Sequence, residues 1–340
     1  MTDGARFFGT DGIRDVAGQG RLTHEHVHRI GRALTQFARA HEGGKPLRIL
    51  LARDPRPSGA GIVEALAGRM AAEGAEVVDG GVLPSPALAW LTASEDFVLG
   101  CAVSASHNPP EYNGIKPFLG AGRKLSIAEE EEVEALIQDL DAGTDGGPPT
   151  RDAAAAARYA VAAAEALEQH GDITGMRLVV DLSAGAASTT APMAFEGLGV
   201  EIAYVNKAGE RPINEQCGSE HPEAWSSWVA QGDVDGGLAF DGDADRVLVA
   251  DEKGQLLDGD DLLAVLATDA HARDGVPANA VVSTVMANLG LEEYLTSIGV
   301  TLERTKVGDR NVAERMREVG AVFGGEPAGH IVLPRADAGG

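Results

Sequence analysis

At 340 residues the chain exceeds one ordinary domain, and its length predicts two or three. Apolar residues make up 44% but Phe, Trp and Tyr only 4%, so the cores must be built from Leu, Val, Ile and Ala. A net charge of -24 argues against nucleic acid or an anionic membrane as a partner, and an anionic substrate would need a local basic cluster. Two cysteines, Cys101 and Cys217, form no disulfide framework or zinc pattern, and no leader or apolar run of membrane-spanning length occurs. A soluble cytoplasmic protein is expected.

Residues 7–18 form a glycine-rich opening with Arg14 near its centre, and Phe7, Phe8, Ile13 and Val16 in it call for burial. Ile30, Leu34, Phe37 and Ala38 recur at helical spacing. Leu47, Ile49 and Leu51 alternate as a strand that ends at Arg53-Asp54-Pro55-Arg56-Pro57. Ser58 is expected to cap a helix to about Glu73, with Gly74 stopping it and a strand over 75–78. A helix over 86–93 and a buried strand over 97–103 lead to Ser104-Ala105-Ser106-His107-Asn108-Pro109-Pro110. Asn113-Gly114 is read as a turn entering a short strand. Ser126-Ile127-Ala128-Glu129 is a capping box opening an acidic helix over 129–140. Residues 141–149 read as a linker.

The rest of the chain continues the alternation. Helices are expected over 152–170, 191–198, about 222–231, 260–272, 289–298 and 311–319. Strands are expected over 176–182, 200–205, 238–240, 247–250, 280–285, 300–304, 321–324 and 331–333. Three times a helix ends at glycine and a strand starts at once, at Gly74, Gly199 and Gly299, with an apolar strand before each helix. Right-handed crossovers and parallel pairing follow. The expected fold is α/β: three similar units with mixed, mostly parallel sheets around a central cleft, over 1–145, 150–253 and 254–340.

Two stretches carry chemistry. Ser106 stands beside His107 where a strand opens into a loop, the position at which α/β folds place their sites. Asp241-Gly242-Asp243-Ala244-Asp245-Arg246 lies between two apolar strands, and three carboxylates at alternate positions can surround one hard cation. A calcium helix–loop–helix site shares that spacing, but it needs Gly where Arg246 stands and helices where strands are expected. Mg²⁺ suits so few acids. A divalent ion, a serine and scattered Arg and Lys point to phosphoryl transfer. A Ser-His hydrolase is the competitor; sequence neighbours rarely face each other as a triad requires, and no Gly-x-Ser-x-Gly elbow occurs. Cys217 reads as packed in its loop.

Phe8-Gly9-Thr10-Asp11-Gly12-Ile13-Arg14, Ser104–Pro109, Asn113-Gly114-Ile115-Lys116 and Asp241–Arg246, in this order, resemble the α-D-phosphohexomutase superfamily. The Ser-Ala-Ser-His form of the serine loop, Asn214–Ser219 and Lys306-Val307-Gly308-Asp309-Arg310 are similar to its branch acting on glucosamine phosphates. The resemblance implies that Ser106, not Ser104, is a phosphoserine, and that its phosphate with Asp241, Asp243 and Asp245 holds one Mg²⁺. It implies that Arg14, Lys116 and Arg246 line the transferred phosphoryl group. Glu326 and His330 would face the sugar, His330 also as a proton carrier. Asn113 and Arg310 join the substrate-binding set, with a helix-start salt bridge as the alternative for Arg310. The implied reaction interconverts glucosamine 6-phosphate and glucosamine 1-phosphate through a 1,6-bisphosphate; the partner is a small phosphosugar, and oligomeric state is left open. Other hexose phosphates are the same-class alternative, and a non-catalytic chain binding Mg²⁺ or phosphosugar the different-class one. Ala328 replaces a common serine of the sugar loop. The superfamily's fourth, C-terminal domain has no counterpart before Gly340, so a truncated chain of weak or no activity is expected.

Overall fold

In the computed structural model, which describes residues 6–9, 11–41, 43–170 and 172–333, three α/β units follow one another along the chain. The first contains β1 (Ile13–Val16), α1 (His24–His41), β2 (Arg48–Arg53), α2 (Gly59–Ala72), β3 (Glu76–Val82), α3 (Ser85–Ser94), β4 (Leu99–Val103), β5 (Tyr112–Leu119), α4 (Ile127–Asp139) and β6 (Thr150–Arg151). Its six-stranded sheet runs β1-β5-β4-β2-β3-β6, parallel from β4 to β6 and antiparallel at β4–β5 and β5–β1. The two-residue period of β2 divides its side chains between two layers. Ile49 and Leu51 pack with α1 and α2 on one face, while Leu50 and Ala52 pack with α3 on the other. Burying such a side chain contributes about 1.5–3 kcal/mol.

The second unit contains α5 (Ala155–His170), β7 (Arg177–Asp181), α6 (Ala187–Ala194), β8 (Glu201–Val205), α7 (Pro222–Gln231), β9 (Gly236–Phe240), β10 (Val247–Ala250) and β11 (Leu256–Leu257), in the sheet β11-β10-β9-β7-β8. The third contains α8 (Gly259–Arg273), β12 (Ala280–Thr284), α9 (Leu289–Ser297), β13 (Thr301–Thr305), α10 (Asp309–Val319), β14 (Gly324–Gly325) and β15 (Ile331–Val332), in the sheet β13-β12-β14-β15. The three expected strand–helix–strand repeats are present, each with parallel pairing: β2–β3, β7–β8 and β12–β13. Gly74, Gly199 and Gly299 take φ of +85°, +70° and +76°, the left-handed conformation; at Gly74 and Gly299 it follows the helix end directly, whereas α6 ends at Ala194, short of the expected 198, and Gly199 only turns the chain into β8.

Four local expectations are revised. Asn113-Gly114 does not turn; it lies inside β5, paired with Asp15 and Arg14 of β1, because the glycine-rich opening supplies an edge strand there. Ser58 precedes α2 but makes no side-chain cap; its Oγ accepts from Asn113 Nδ2 at 2.9 Å. Residues 141–149 are tied to α2: Gly146 N–H donates to the Gly68 carbonyl at 2.7 Å, and Arg69 Nη1 to the Thr144 carbonyl at 2.6 Å. The sheet of the first unit also takes in 150–151, and Ala155 at the start of α5 is buried in the same core as Leu50 and Leu83. The capping box at Ser126 forms as expected. The final residues 334–340 of the expected third unit lie outside the described residues. Among those described, no helix is long and apolar enough to cross a membrane.

Candidate active site

Strand ends of the first two units converge on one place. β2 ends before Asp54, β4 before Ser104, and β9 before Asp241, so three strands from two sheets deliver these residues from their C-terminal ends. Ser106 is 1% exposed and holds φ at +51°. A buried scaffold keeps it there. Ser106 N–H donates to Ser104 Oγ at 2.9 Å, and Ser104 Oγ donates to Asp54 Oδ2 at 2.6 Å. Arg56 pairs with Asp54 and donates to the carbonyls of Ser106, Asn108, Pro109 and Tyr112. Asn214 Nδ2 adds bonds to the Ser106 and Asn108 carbonyls at 2.7 and 3.0 Å. The serine loop is thus folded around one guanidinium, which satisfies carbonyls that no ladder reaches.

The aspartate loop closes over it. Ser106 Oγ donates to Asp241 Oδ2 at 2.5 Å. A Cβ on Gly242 would stand 2.6 Å from the Ser106 carbonyl oxygen, which accounts for the glycine between the first two acids. Oxygens of Asp241, Asp243 and Asp245 lie within 4.8 Å of one another. Burial pushes the Asp241 carboxyl well above the usual carboxylate range, and Asp245 and Asp243 push the same way. Asp243 Oδ1 is buried without a hydrogen-bond partner. Mutually repelling buried carboxylates and an orphaned oxygen fit a divalent cation bound among them.

The expected cations gather round. Lys116 Nζ reaches Asp243 at 2.7 Å, Asp11 at 2.8 Å and Asp245 at 3.2 Å. Burial opposes its charge, yet these three carboxylates hold its pKa well above the ordinary lysine value. Arg14 pairs with Asp11 and donates to Asn108 Oδ1 at 3.2 Å. Arg246 donates its backbone N–H to Asp241 at 3.2 Å and lies 3.4 Å from His330 Nε2. His330 stands between Asp245 (3.2 Å) and Glu326 (3.0 Å). Burial disfavours its charged form, but Asp245 and Glu326 favour it more and raise its pKa to about 10. Glu326 also accepts the Gly308 N–H at 2.9 Å.

Two expected residues are engaged by other protein groups. Asn113 is fully buried against Ser58. Arg310 donates to Glu130 at 2.6 Å and to the Leu125 carbonyl at 2.8 Å, and it lines one small cavity together with Asp11, Gly12 and Lys116. The expectation that Ser106 and His107 do not face each other is also revised, since His107 Nδ1 is 3.2 Å from Ser106 Oγ. No carboxylate hydrogen-bonds His107 among the described residues. Burial and then Arg246 lower its pKa, and the third member of a triad is missing. Cys217 is buried and its thiol is pushed up to about 11, in keeping with a packed side chain. Sequence reasoning assigned no role to Arg56 or Ser85, set Ser104 aside in favour of Ser106, and used Asn214 only as part of the Asn214–Ser219 motif. Only the two prolines flanking Arg56 and the two flanking Ser85 marked stretches of restricted backbone.

The chain matches phosphoglucomutase/phosphomannomutase alpha/beta/alpha domain I over residues 5–144, domain II over 157–254 and domain III over 258–339. It belongs to the phosphoglucomutase/phosphomannomutase family. Among relatives of this family, phosphoglucosamine mutase of Caulobacter vibrioides is 41% identical over 333 residues, 96% of this chain and 74% of the relative. That of Symbiobacterium thermophilum is 41% identical over 335 residues, with the same shares. A crystal structure of a phosphoglucomutase/phosphomannomutase family protein from Burkholderia thailandensis superposes with a TM-score of 0.82 at 29% identity, covering 98% of this chain and 73% of that one. The three-unit fold expected from the repeats is the family's.

Proposed function

We propose that the chain is a phosphoglucosamine mutase, shifting a phosphoryl group between the 6- and 1-hydroxyls of glucosamine through phosphorylated Ser106. The observation that carries this reading is the Ser106 hydroxyl held 2.5 Å from Asp241, inside a cluster of three aspartates and Lys116. The 41% identity to phosphoglucosamine mutases supports the amino sugar over other hexoses. Asp241, Asp243 and Asp245 would hold Mg²⁺, together with the Ser106 phosphate. The ion, when bound, neutralises phosphate oxygens.

In the first half-reaction the 1-hydroxyl of glucosamine 6-phosphate attacks phosphorus. The bond from phosphorus to Ser106 Oγ breaks, and the sugar hydroxyl's proton ends on Ser106 Oγ. The product is glucosamine 1,6-bisphosphate. After it turns round, Ser106 Oγ takes the 6-phosphoryl group, the proton returns to the sugar, and glucosamine 1-phosphate remains. Arg14, Lys116 and Arg246 offset the charge of the transferred group. Glu326 and His330 address the sugar hydroxyls by hydrogen bonds, with no net proton transfer to or from either side chain.

The test is transfer to the protein itself. The chain is incubated with Mg²⁺ and glucosamine 1,6-bisphosphate, and peptides are analysed by mass spectrometry. One phosphoryl group on Ser106, absent in Ser106→Ala, is expected. Phosphorylation of another residue, or labelling that survives in Ser106→Ala, sinks the assignment. Comparing labelling by glucosamine, glucose and mannose 1,6-bisphosphates separates the amino-sugar reading from a phosphomannomutase or phosphoglucomutase.

A further inference from the structure

The two oxygens of Asp243 are not equivalent. Oδ2 is engaged twice, by Ser85 Oγ at 2.5 Å and Lys116 Nζ at 2.7 Å. Oδ1 is buried with no partner. Ser85 also donates its backbone N–H to the Asp243 carbonyl at 2.9 Å. The first residue of α3, in the first unit, therefore grips both main chain and side chain of a residue 158 positions away in the second. Pro84 and Pro86 flank Ser85 and restrict its backbone, so the hydroxyl arrives with little freedom left to lose. Asp243 is 1% exposed, which removes water as a substitute partner for either oxygen.

We propose that Ser85 is a positioning residue for the metal loop. By committing Oδ2, it turns the Asp243 carboxylate so that Oδ1 is the oxygen presented to a divalent cation. Lys116 alone cannot do this, because a rotatable ammonium shared among three carboxylates sets no carboxylate plane. A hydroxyl on a fixed helix start does set one. The same bond makes cation binding sensitive to the contact between the first two units, since the partner that aims Asp243 comes from across that contact.

This inference rests on reading the three aspartates as a metal site, and the experiment keeps the two apart. Mn²⁺ is titrated into the whole chain and followed by electron paramagnetic resonance, with thermal melts of each variant. Wild type is expected to bind one Mn²⁺, and Asp243→Asn to lose it. Ser85→Ala is expected to bind about 10- to 100-fold more weakly, the usual effect of removing a partner that orients a ligand. Ser85→Thr keeps the hydroxyl and should stay within a few-fold of wild type, whereas the near-isosteric Ser85→Val should fall with Ser85→Ala. If Ser85→Ala fails to fold, the Thr and Val pair decides. Equal affinity in Thr and Val variants, or wild-type affinity in Ser85→Ala, overturns the positioning role while leaving the metal site standing. Wild type that binds no Mn²⁺ overturns the metal reading itself.

Discussion

Ser104 and Ser106 are two residues apart, and their chemistry divides by their partners. Ser104 Oγ is spent on both sides, donating to Asp54 and accepting from Ser106 N–H. Ser106 Oγ faces the aspartate loop. Ser104→Ala leaves the buried Ser106 N–H unpaired and should cost about 1–3 kcal/mol of stability. It should still accept a phosphoryl group on Ser106. Denaturant unfolding measures the first effect and peptide mass spectrometry the second; a Ser104→Ala chain that loses no stability would show the hydrogen-bond chain to be idle. Ser106 and the three aspartates were legible in the sequence because their residue types carry the chemistry within a few positions. Arg56 and Ser85 were not. An arginine or a serine between two prolines announces no chemistry, and each acquires its meaning from a partner 50 or 158 residues away.

At the scale of elements, what could be read locally was read well. The capping box at Ser126 needs only four consecutive residues, and the glycine stops at Gly74 and Gly299 need only one each. Strands β1, β6 and β11 escaped because each exists where a longer neighbour offers an edge, which no local pattern announces. The capping box also gives a pH prediction. Arg123 makes two bonds to Glu129, at 2.7 and 2.8 Å. That pairing, against burial and with help from Ser126 N–H, lowers the Glu129 carboxyl from 4.5 to about 2. A carboxylate with a depressed value stabilises the fold above its unfolded pKa and loses that contribution as pH falls through the folded one. Glu129→Gln preserves the capping hydrogen bond but not the charge. It should lower stability near neutral pH by about 1 kcal/mol, discounted because Arg123 is a third exposed. The difference from wild type should shrink as pH drops from 4.5 toward 2. Urea titrations at a series of pH values check this, and a difference constant with pH excludes the ion pair as its source.

For the whole molecule, the question is what holds the third unit against the first. Two part-buried links are visible among the described residues, both from the start of α10. Lys124 Nζ bridges Asp11 and Asp309 at 2.7 Å each, and Arg310 pairs with Glu130 at 2.6 Å. Glu130 is 4% exposed, and burial raises its carboxyl more than Arg310 and Arg6 lower it, so it depends on its partners. Removing Arg310 strands that carboxylate. Arg310→Ala should therefore cost about 3 kcal/mol, with the third unit melting apart from the first in calorimetry. Glu130→Leu combined with Arg310→Met replaces the pair by apolar groups and should recover most of the loss, because neither charge is then left buried alone. A substrate-contact role makes the opposite forecast: Arg310→Ala would raise KM with the melting curve unchanged, and the double substitution would restore nothing. Since Lys124 also shares Asp11 with Lys116, the clasp and the phosphoryl site draw on one carboxylate. Loosening the third unit should then reach the serine loop, and Arg310→Ala should slow phosphorylation of Ser106 even though Arg310 touches neither the serine nor the aspartates.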